Sequence, residues 1–179
     1  MIEGLLYAIS ARLPCRFIDG DGGGPYLERY YLLGVLGWHL YLHRFVDSDP
    51  DRGLHDHPWD RALSLVLVTG YDEIRSDPRG GAATRRSLGP WRLNWLRGDD
   101  FHRVVLRPGQ TAWTLFLHGP RTKGWGFLQN GDYRPMARNG AEFRHRDWWR
   151  QAPRGAAMRA SRRAGPEGGH PLVSPPPRG

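Results

Sequence analysis

Between Tyr26 and Leu128 apolar and polar positions mostly alternate with a period of two. In GWHLYLHRFV, Trp38, Leu40 and Leu42 interleave with His39, Tyr41 and His43, the spacing of a strand rather than of a helix. The same reading predicts strands over Tyr26–Leu33, Arg61–Val68, Tyr71–Arg75, Thr84–Leu88, Trp91–Leu96, Phe101–Leu106, Trp113–His118 and Trp125–Leu128. Turn chemistry separates them: Asp47 to Pro50, Asp77 to Gly81, Gly89-Pro90, Arg107 to Gly109, Gly119-Pro120 and Asn130-Gly131. Many short strands joined in this way mean an all-β sandwich or barrel. A short amphipathic segment, about residues 2–13, precedes the glycine-rich Gly20 to Gly24, and one C-terminal helix is expected over Ala141–Arg150, anchored by Trp148 and Trp149. From Gln151 onward six prolines and five glycines occupy 29 residues with few apolar side chains, so 1–151 is expected to be a single domain and 152–179 a disordered tail.

Composition narrows the class. With 179 residues, 39% of them hydrophobic, there is room for one core and hardly for two. Cys15 is the only cysteine, which excludes an intrachain disulfide and a CxxC zinc site, so a metal would have to be held by His, Asp or Glu. No apolar run reaches membrane-spanning length, and the acidic Glu3 near the start is unlike the basic start of a signal peptide; a soluble, cytoplasmic protein without membrane contact is expected. Half of the net charge of +8 lies in 151–179, where five arginines face Glu167 alone. Such a tail can attract nucleic acid weakly through counterion release. Of the 26 basic residues 25 are arginine, so a single arginine carries little information.

The informative segment is Gly53-Leu-His55-Asp-His57-Pro-Trp-Asp60-Arg61, followed by the apolar ALSLVLV and Gly70-Tyr71. In a strand, positions i and i+2 face the same side, so His55 and His57 can aim two imidazoles into a barrel interior. A third, His102, opens FHRVVL about 45 residues later. Three imidazoles on neighbouring strands suit one divalent transition metal, Fe(II), Zn, Ni, Mn or Cu, with positions left open. His43 and His118 read as strand-end residues that could orient a ligand, and Asp60 as a turn cap or a fourth ligand swung in at Pro58.

HDHPWD with the following VTGYDE resembles the cupin superfamily, small jelly-roll barrels marked by a Gly, a His-x-His, a later Glu, a closing Gly and a second motif with another His. The resemblance covers roughly residues 36–128 and places the first two ligands at His55 and His57, the closing turn at Gly70 and the late ligand at His102. The family's Glu would fall at Arg61 or Ala62, neither of which binds a metal, and the second motif lacks its Pro and ends on Leu106. A three-His set is similar to that of the thiol dioxygenases, which bind Fe(II) and hold a substrate carboxylate with an Arg on a neighbouring strand. That resemblance favours Fe(II) over Zn, Mn or Ni and implies an oxygenase acting on a small acid. Arg44 or Arg61 would anchor the acid, Tyr71 or Tyr41 would donate a hydrogen bond, and Asp60 would serve as acid, base or ligand. Two other readings stay open: redox-neutral isomerase or lyase chemistry at Zn, Mn or Ni on a small acid, sugar or nucleotide, and a non-enzymatic binding or regulatory barrel using the basic tail. A homodimer is expected through the stripe Tyr26, Tyr30 and Leu32.

Overall fold

The structure is a computed structural model that describes residues 2–76, 82–136 and 147–163. Helix α1 (Ile2–Ser10) leads into β1 (Cys15–Asp19), β2 (Pro25–Val35), β3 (Trp38–Phe45), β4 (Leu54–His55), β5 (Arg61–Val68) and β6 (Tyr71–Ser76). There follow β7 (Thr84–Leu88), β8 (Leu93–Arg97), β9 (Phe101–Val105), β10 (Ala112–His118), β11 (Gly126–Gln129), β12 (Asp132–Pro135) and α2 (Gly155–Arg163). All strand pairs are antiparallel, in two six-stranded sheets of order β1-β2-β3-β10-β5-β8 and β12-β11-β4-β9-β6-β7. The chain is an all-β jelly-roll of two antiparallel sheets, and among the described residues no helix is long and apolar enough to cross a membrane.

Alternation sets which side chains reach the interior. Along β5 Ala62, Ser64 and Val66 are buried while Leu63 and Leu65 are only partly covered. One interior cluster gathers Leu27, Phe45, Val66, Tyr71, Leu88, Val104 and Leu106, and a second Tyr41, Ala62, Leu96 and Phe116. Tyr41, His43 and Phe45 of β3 therefore line the inside, whereas Leu42 faces outward beneath the helices with Cys15, Tyr30 and Trp113. Turns need backbone freedom where the sheets meet: Gly70 has φ of +111°, and a Cβ there would run into the Leu88 carbonyl.

Strands β1 and β12 lack a clear alternating signal and were not expected; β12 forms because Asn130 and Gly131 both take positive φ and fold it back on β11. Of the helix expected at Ala141–Arg150, residues 137–146 lie outside the described residues and Trp148–Arg150 form one 3-10 turn. The disordered tail expected from 152 needs correction, because α2 lies within it. Its stability comes from a polar anchor: the buried Arg159 donates to Tyr30 Oη at 2.6 Å, Ser10 Oγ at 3.1 Å and the Tyr7 carbonyl at 3.2 Å. Residues 164–179 lie outside the described residues. The stripe expected to pair two copies is also corrected, since Tyr30 is fully buried under this same layer.

Candidate metal centre

His55 sits on the two-residue strand β4, in register with Phe127 on one side and His102 on the other. Pro58 stops the strand, and His57 lies just beyond its end with its amide bonded to the Gly98 carbonyl at 3.3 Å. Asp56 between them turns the other way: it is buried, accepts from the Gly126 amide at 2.6 Å and from Lys123 Nζ, and so fastens the His-Asp-His segment to the start of β11. The result is one cluster in which a ring nitrogen from each of His55, His57 and His102 lies within 4.8 Å of the others.

The cluster has the chemistry of a cation site. Burial, and next the neighbouring His102, hold the pKa values of His55 and His57 well below the ordinary imidazole range, so both are neutral at pH 7 with lone pairs to give. His102 Nδ1 lies 2.8 Å from Glu73 Oε1; a carboxylate only accepts, so Nδ1 carries the proton of this bond and Nε2 is the nitrogen turned toward His57. That Nε2 lies 2.7 Å from His57 Nε2, a separation at which two lone pairs repel unless a proton or a cation stands between them. Three imidazoles gathered in this way, each with a ring nitrogen turned to the others, fit one divalent metal ion.

Behind the rings stands an ordered acceptor shell. Glu73 is fully buried on β6 and takes four donors: His102, Asn94 Nδ2 at 2.8 Å, Arg75 at 3.2 Å and Arg86 at 2.7 Å. Burial alone would raise its pKa, but the hydrogen bond and charge of His102, followed by Asn94 and Arg75, bring it below the usual carboxylate range. Asp49 places its carboxylate 3.9 Å from His55 Nδ1 while accepting from the Val104 amide at 2.8 Å, and burial pushes its pKa up to about 6. On the open side His57 stacks on Trp59 at 4.7 Å, and Trp59 on His118 at 4.4 Å. His118 donates from Nδ1 to the Gly119 carbonyl at 2.8 Å, and burial first of all lowers its pKa to about 4.

Two cavities meet at the cluster. A pocket of about 450 Å³ reaches His55 and His57 from outside, between aromatic walls that include Trp59, Trp125 and Phe127 and a basic wall that includes Arg16 and Arg29. An inner cavity of about 80 Å³ is lined by all three histidines together with His43, Tyr71 and Asn94. A larger open bowl of about 620 Å³ lies elsewhere, bounded by Asp60, Arg61, Trp95 and Arg97, and contains none of the histidines.

Of the other expected site residues, only Tyr71 is brought to the cluster; its ring packs near Phe45 and its hydroxyl lies 3.5 Å from Asn94 Nδ2. Asp60 and Arg61 are not: their side chains are 74% and 65% exposed, because Ala62 is the inward residue at the start of β5 and Arg61 must face out. Ala62 at that inward position also leaves no carboxylate to complete a family-type ligand set. Arg44 is excluded by the same parity. Its neighbour His43 points inward, so Arg44 lies on the outer face, 3.2 Å from the buried Glu28 and over the rings of Tyr7 and Trp113. His43 reaches the inner cavity, where it accepts from Arg29 Nε at 3.0 Å and stacks on Phe116. Sequence reasoning missed Glu73, Asp49 and Arg29. Glu73 had a signal in the alternation of Tyr71 and Glu73 within GYDE, whereas Asp49 sits in a loop and Arg29 is one arginine among 25.

No protein-family model and no curated protein matches the sequence. Solved structures do match in fold. A cupin-2 domain protein from Rhodospirillum rubrum aligns with a TM-score of 0.54 over 83% of this chain and 88% of that one, at 11% identity. A cupin 2 conserved barrel domain protein from Rhodopseudomonas palustris aligns with a TM-score of 0.52 over 67% and 80%, also at 11% identity. A structure of Fe(II) HppE is similar over 59% of this chain at 12% identity and a TM-score of 0.48, and this chain spans 56% of its length. The fold is thus that of the cupin-2 barrels, and it carries a cluster of three histidines fit for a metal.

Proposed function

We propose that this protein is a metal-dependent enzyme, a non-haem Fe(II) oxygenase that acts on a small organic acid. The observation that carries the reading is the cluster of three imidazoles, two of which line a ligand-sized pocket that Arg16 and Arg29 also border. His55, His57 and His102 would hold a ferrous ion, which would supply the redox chemistry. Glu73 fixes the tautomer and direction of His102, and Asp49 lies behind His55.

Arg29 is the acid-binding residue in this reading, in the place expected of Arg44 or Arg61. It borders both the outer pocket and the inner cavity, and its charge is close enough to lower the pKa values of His43, His57 and His118. Burial, and then the apposed Arg16, lower its own pKa to about 10. Arg16 and Arg29 are register partners on β1 and β2 and point to the same side. Among the described residues no carboxylate pairs with Arg29, whose Nε is spent on the neutral His43. A half-buried guanidinium with no carboxylate beside it favours a counter-charge, and a carboxylate or phosphate of the substrate supplies it bidentately. The aromatic walls then receive the apolar part of the molecule.

The same donor set serves zinc, manganese or nickel, which keeps redox-neutral isomerase or lyase chemistry as the second reading. A nucleic-acid role for the basic tail draws less support, since Arg159 is buried and Arg162 lies 3.8 Å from Glu28. The test is metal content by inductively coupled plasma mass spectrometry on untagged protein that has not met a chelator, beside His57→Ala. About one iron per chain, lost in the variant and accompanied by oxygen uptake with small organic acids, is expected. Stoichiometric manganese, nickel or zinc that iron cannot replace under anaerobic reconstitution moves the reading to redox-neutral chemistry. Failure to bind any metal refutes both.

A further inference from the structure

Parity turns two arginines toward each other in the wall of the histidine pocket. On β1 Cys15 and Phe17 pack outward beneath α1 and α2, so Arg16 and Ile18 take the other face; on β2 Tyr30 packs outward with them, so Leu27 and Arg29 face in. Arg16 and Arg29 are cross-strand partners, with Cα atoms about 5 Å apart. Both border the pocket of about 450 Å³ that His55 and His57 line. Like charges directly opposite each other on neighbouring strands destabilise a sheet. The barrel thus keeps an unfavourable pair in the wall of its ligand-sized pocket.

Aromatic faces hold this pair without cancelling its charge. The Arg29 guanidinium lies 5.4 Å from the centre of the Tyr41 ring, and that of Arg16 lies 4.9 Å from the centre of a Trp148 ring. The Tyr41 and Trp148 rings are themselves within 11° of parallel at 6.3 Å. Tyr41 belongs to β3, whereas Trp148 comes from the 3-10 turn before α2, in a segment tied to β1 by the Cys15 amide donating to the Pro153 carbonyl at 2.9 Å. A guanidinium seated on a ring face keeps its N–H edge for an acceptor in its own plane. The surrounding balance is positive as well. Arg16, Arg29, Arg52 and Arg121 border the pocket against Asp19 and Asp49, and even with Arg52 answered by Asp21 an excess remains. A divalent ion on the histidines would add to it.

Resting on the reading that Arg29 binds the substrate's acid group, we propose that Arg16 binds it as well and that the acid is doubly charged, a phosphoryl group or two neighbouring carboxylates. Trp148 is then a positioning residue, which sets Arg16 beside Arg29. A phosphate monoester carries a charge of about −2 at neutral pH and three acceptor oxygens, enough for two guanidinium forks. A singly charged sulfate or carboxylate matches only half of the pair. The C-terminal segment, outside the barrel strands, in this way completes the pocket.

The test is isothermal titration calorimetry of the full chain at pH 7.5 with phenyl phosphate and phenyl sulfate, anions of one shape that differ by a charge. Phthalate beside benzoate asks the same of two carboxylates, and the pair with the larger affinity ratio names the source of the charge. The dianion is expected to bind at least about tenfold more tightly than its monoanion, both in wild type and in His57→Ala, and the two to bind alike in Arg16→Gln. Trp148→Leu, which keeps both arginines, is expected to weaken the dianion about tenfold and to leave the monoanion as in wild type, and Trp148→Phe, which keeps a ring face, to restore the dianion. Equal affinities within both pairs, no binding of any probe at about 10 mM, or a preference that survives Arg16→Gln overturns the proposal. A preference lost in His57→Ala overturns it by assigning the second charge to the metal, and a Trp148→Leu protein that binds as wild type does overturns the role of Trp148. Failure here leaves the metal content of the wild type as it was, and a wild type without metal leaves the comparison of the anions readable.

Discussion

Replacing Glu73 by Gln probes the metal centre from behind without touching a ring nitrogen. The carboxylate takes four donors with two oxygens: His102, Asn94 and Arg75 on Oε1, and Arg86 on Oε2. A glutamine of the same shape keeps one accepting oxygen. If that oxygen stays on His102, the new NH2 faces Arg86 donor to donor; if it turns to Arg86, His102 loses its acceptor and is free to move its proton to Nε2, where it blocks the metal-facing lone pair. Loss of such a partner weakens metal affinity about 10- to 100-fold, or about 1.4–2.7 kcal/mol. The misfit itself costs about 1–3 kcal/mol of folding stability, since Glu73 is fully buried. Competition titration of Co(II) or Zn(II) against a chromophoric chelator at pH 7.5 gives the affinity, and denaturant unfolding of the metal-free protein gives the stability. A Kd within threefold of wild type for both Glu73→Gln and Glu73→Ala would refute the reasoning, because His102 would then need no fixed tautomer to bind.

Arg29→Gln is expected to raise KM for an acidic substrate about 10- to 100-fold, the worth of a charge-assisted hydrogen bond, while metal stoichiometry stays at that of wild type; equal KM values would move the acid site elsewhere. Arg44→Gln should leave KM unchanged and lower stability, because it strips the buried Glu28 of a cation 3.2 Å away; steady-state kinetics beside thermal unfolding separates the two arginines. Acid should destabilise the metal-free protein through its buried neutral histidines. The folded pKa of His118, about 4, lies below the unfolded value near 6.5, so its contribution is complete above pH 6.5 and is lost as pH falls toward 4. That shift is worth about 3 kcal/mol, and the buried His43 shifts in the same direction. Unfolding free energy measured from pH 7.5 to 4.5 should therefore fall, and fall less in His118→Phe; a flat profile would contradict the burial of these rings.

How much was legible depends on whether a feature is local. Arg61–Val68 and Thr84–Leu88 were predicted with the bounds they have, because turn residues on either side, Pro58 and Gly70 for the first and Gly80-Gly81 and Gly89-Pro90 for the second, delimit them in the chain itself. β1 was missed because its five residues, CRFID, offer too short a pattern, and α2 because a helix rich in arginine and alanine after a proline reads as solvated chain. What holds α2 is Arg159 inserted beneath α1, a contact between residues about 150 apart in sequence. His55, His57 and His102 were readable as a set by spacing. Arg44 and Arg61 were misplaced because each is one residue out of phase with the interior, a parity that only the register with neighbouring strands reveals.

The sequence by itself therefore determined the class of fold and the donor type of the centre. Period-two patterning with turn residues leaves few architectures open; one cysteine leaves His, Asp and Glu as donors, and the His-x-His spacing with a later His points to imidazole among them. Tertiary structure decided which face of each strand looks inward, and with it which residues surround the three histidines. Glu73, Asp49 and Arg29 acquire their roles by crossing between strands distant in sequence, which no local pattern encodes.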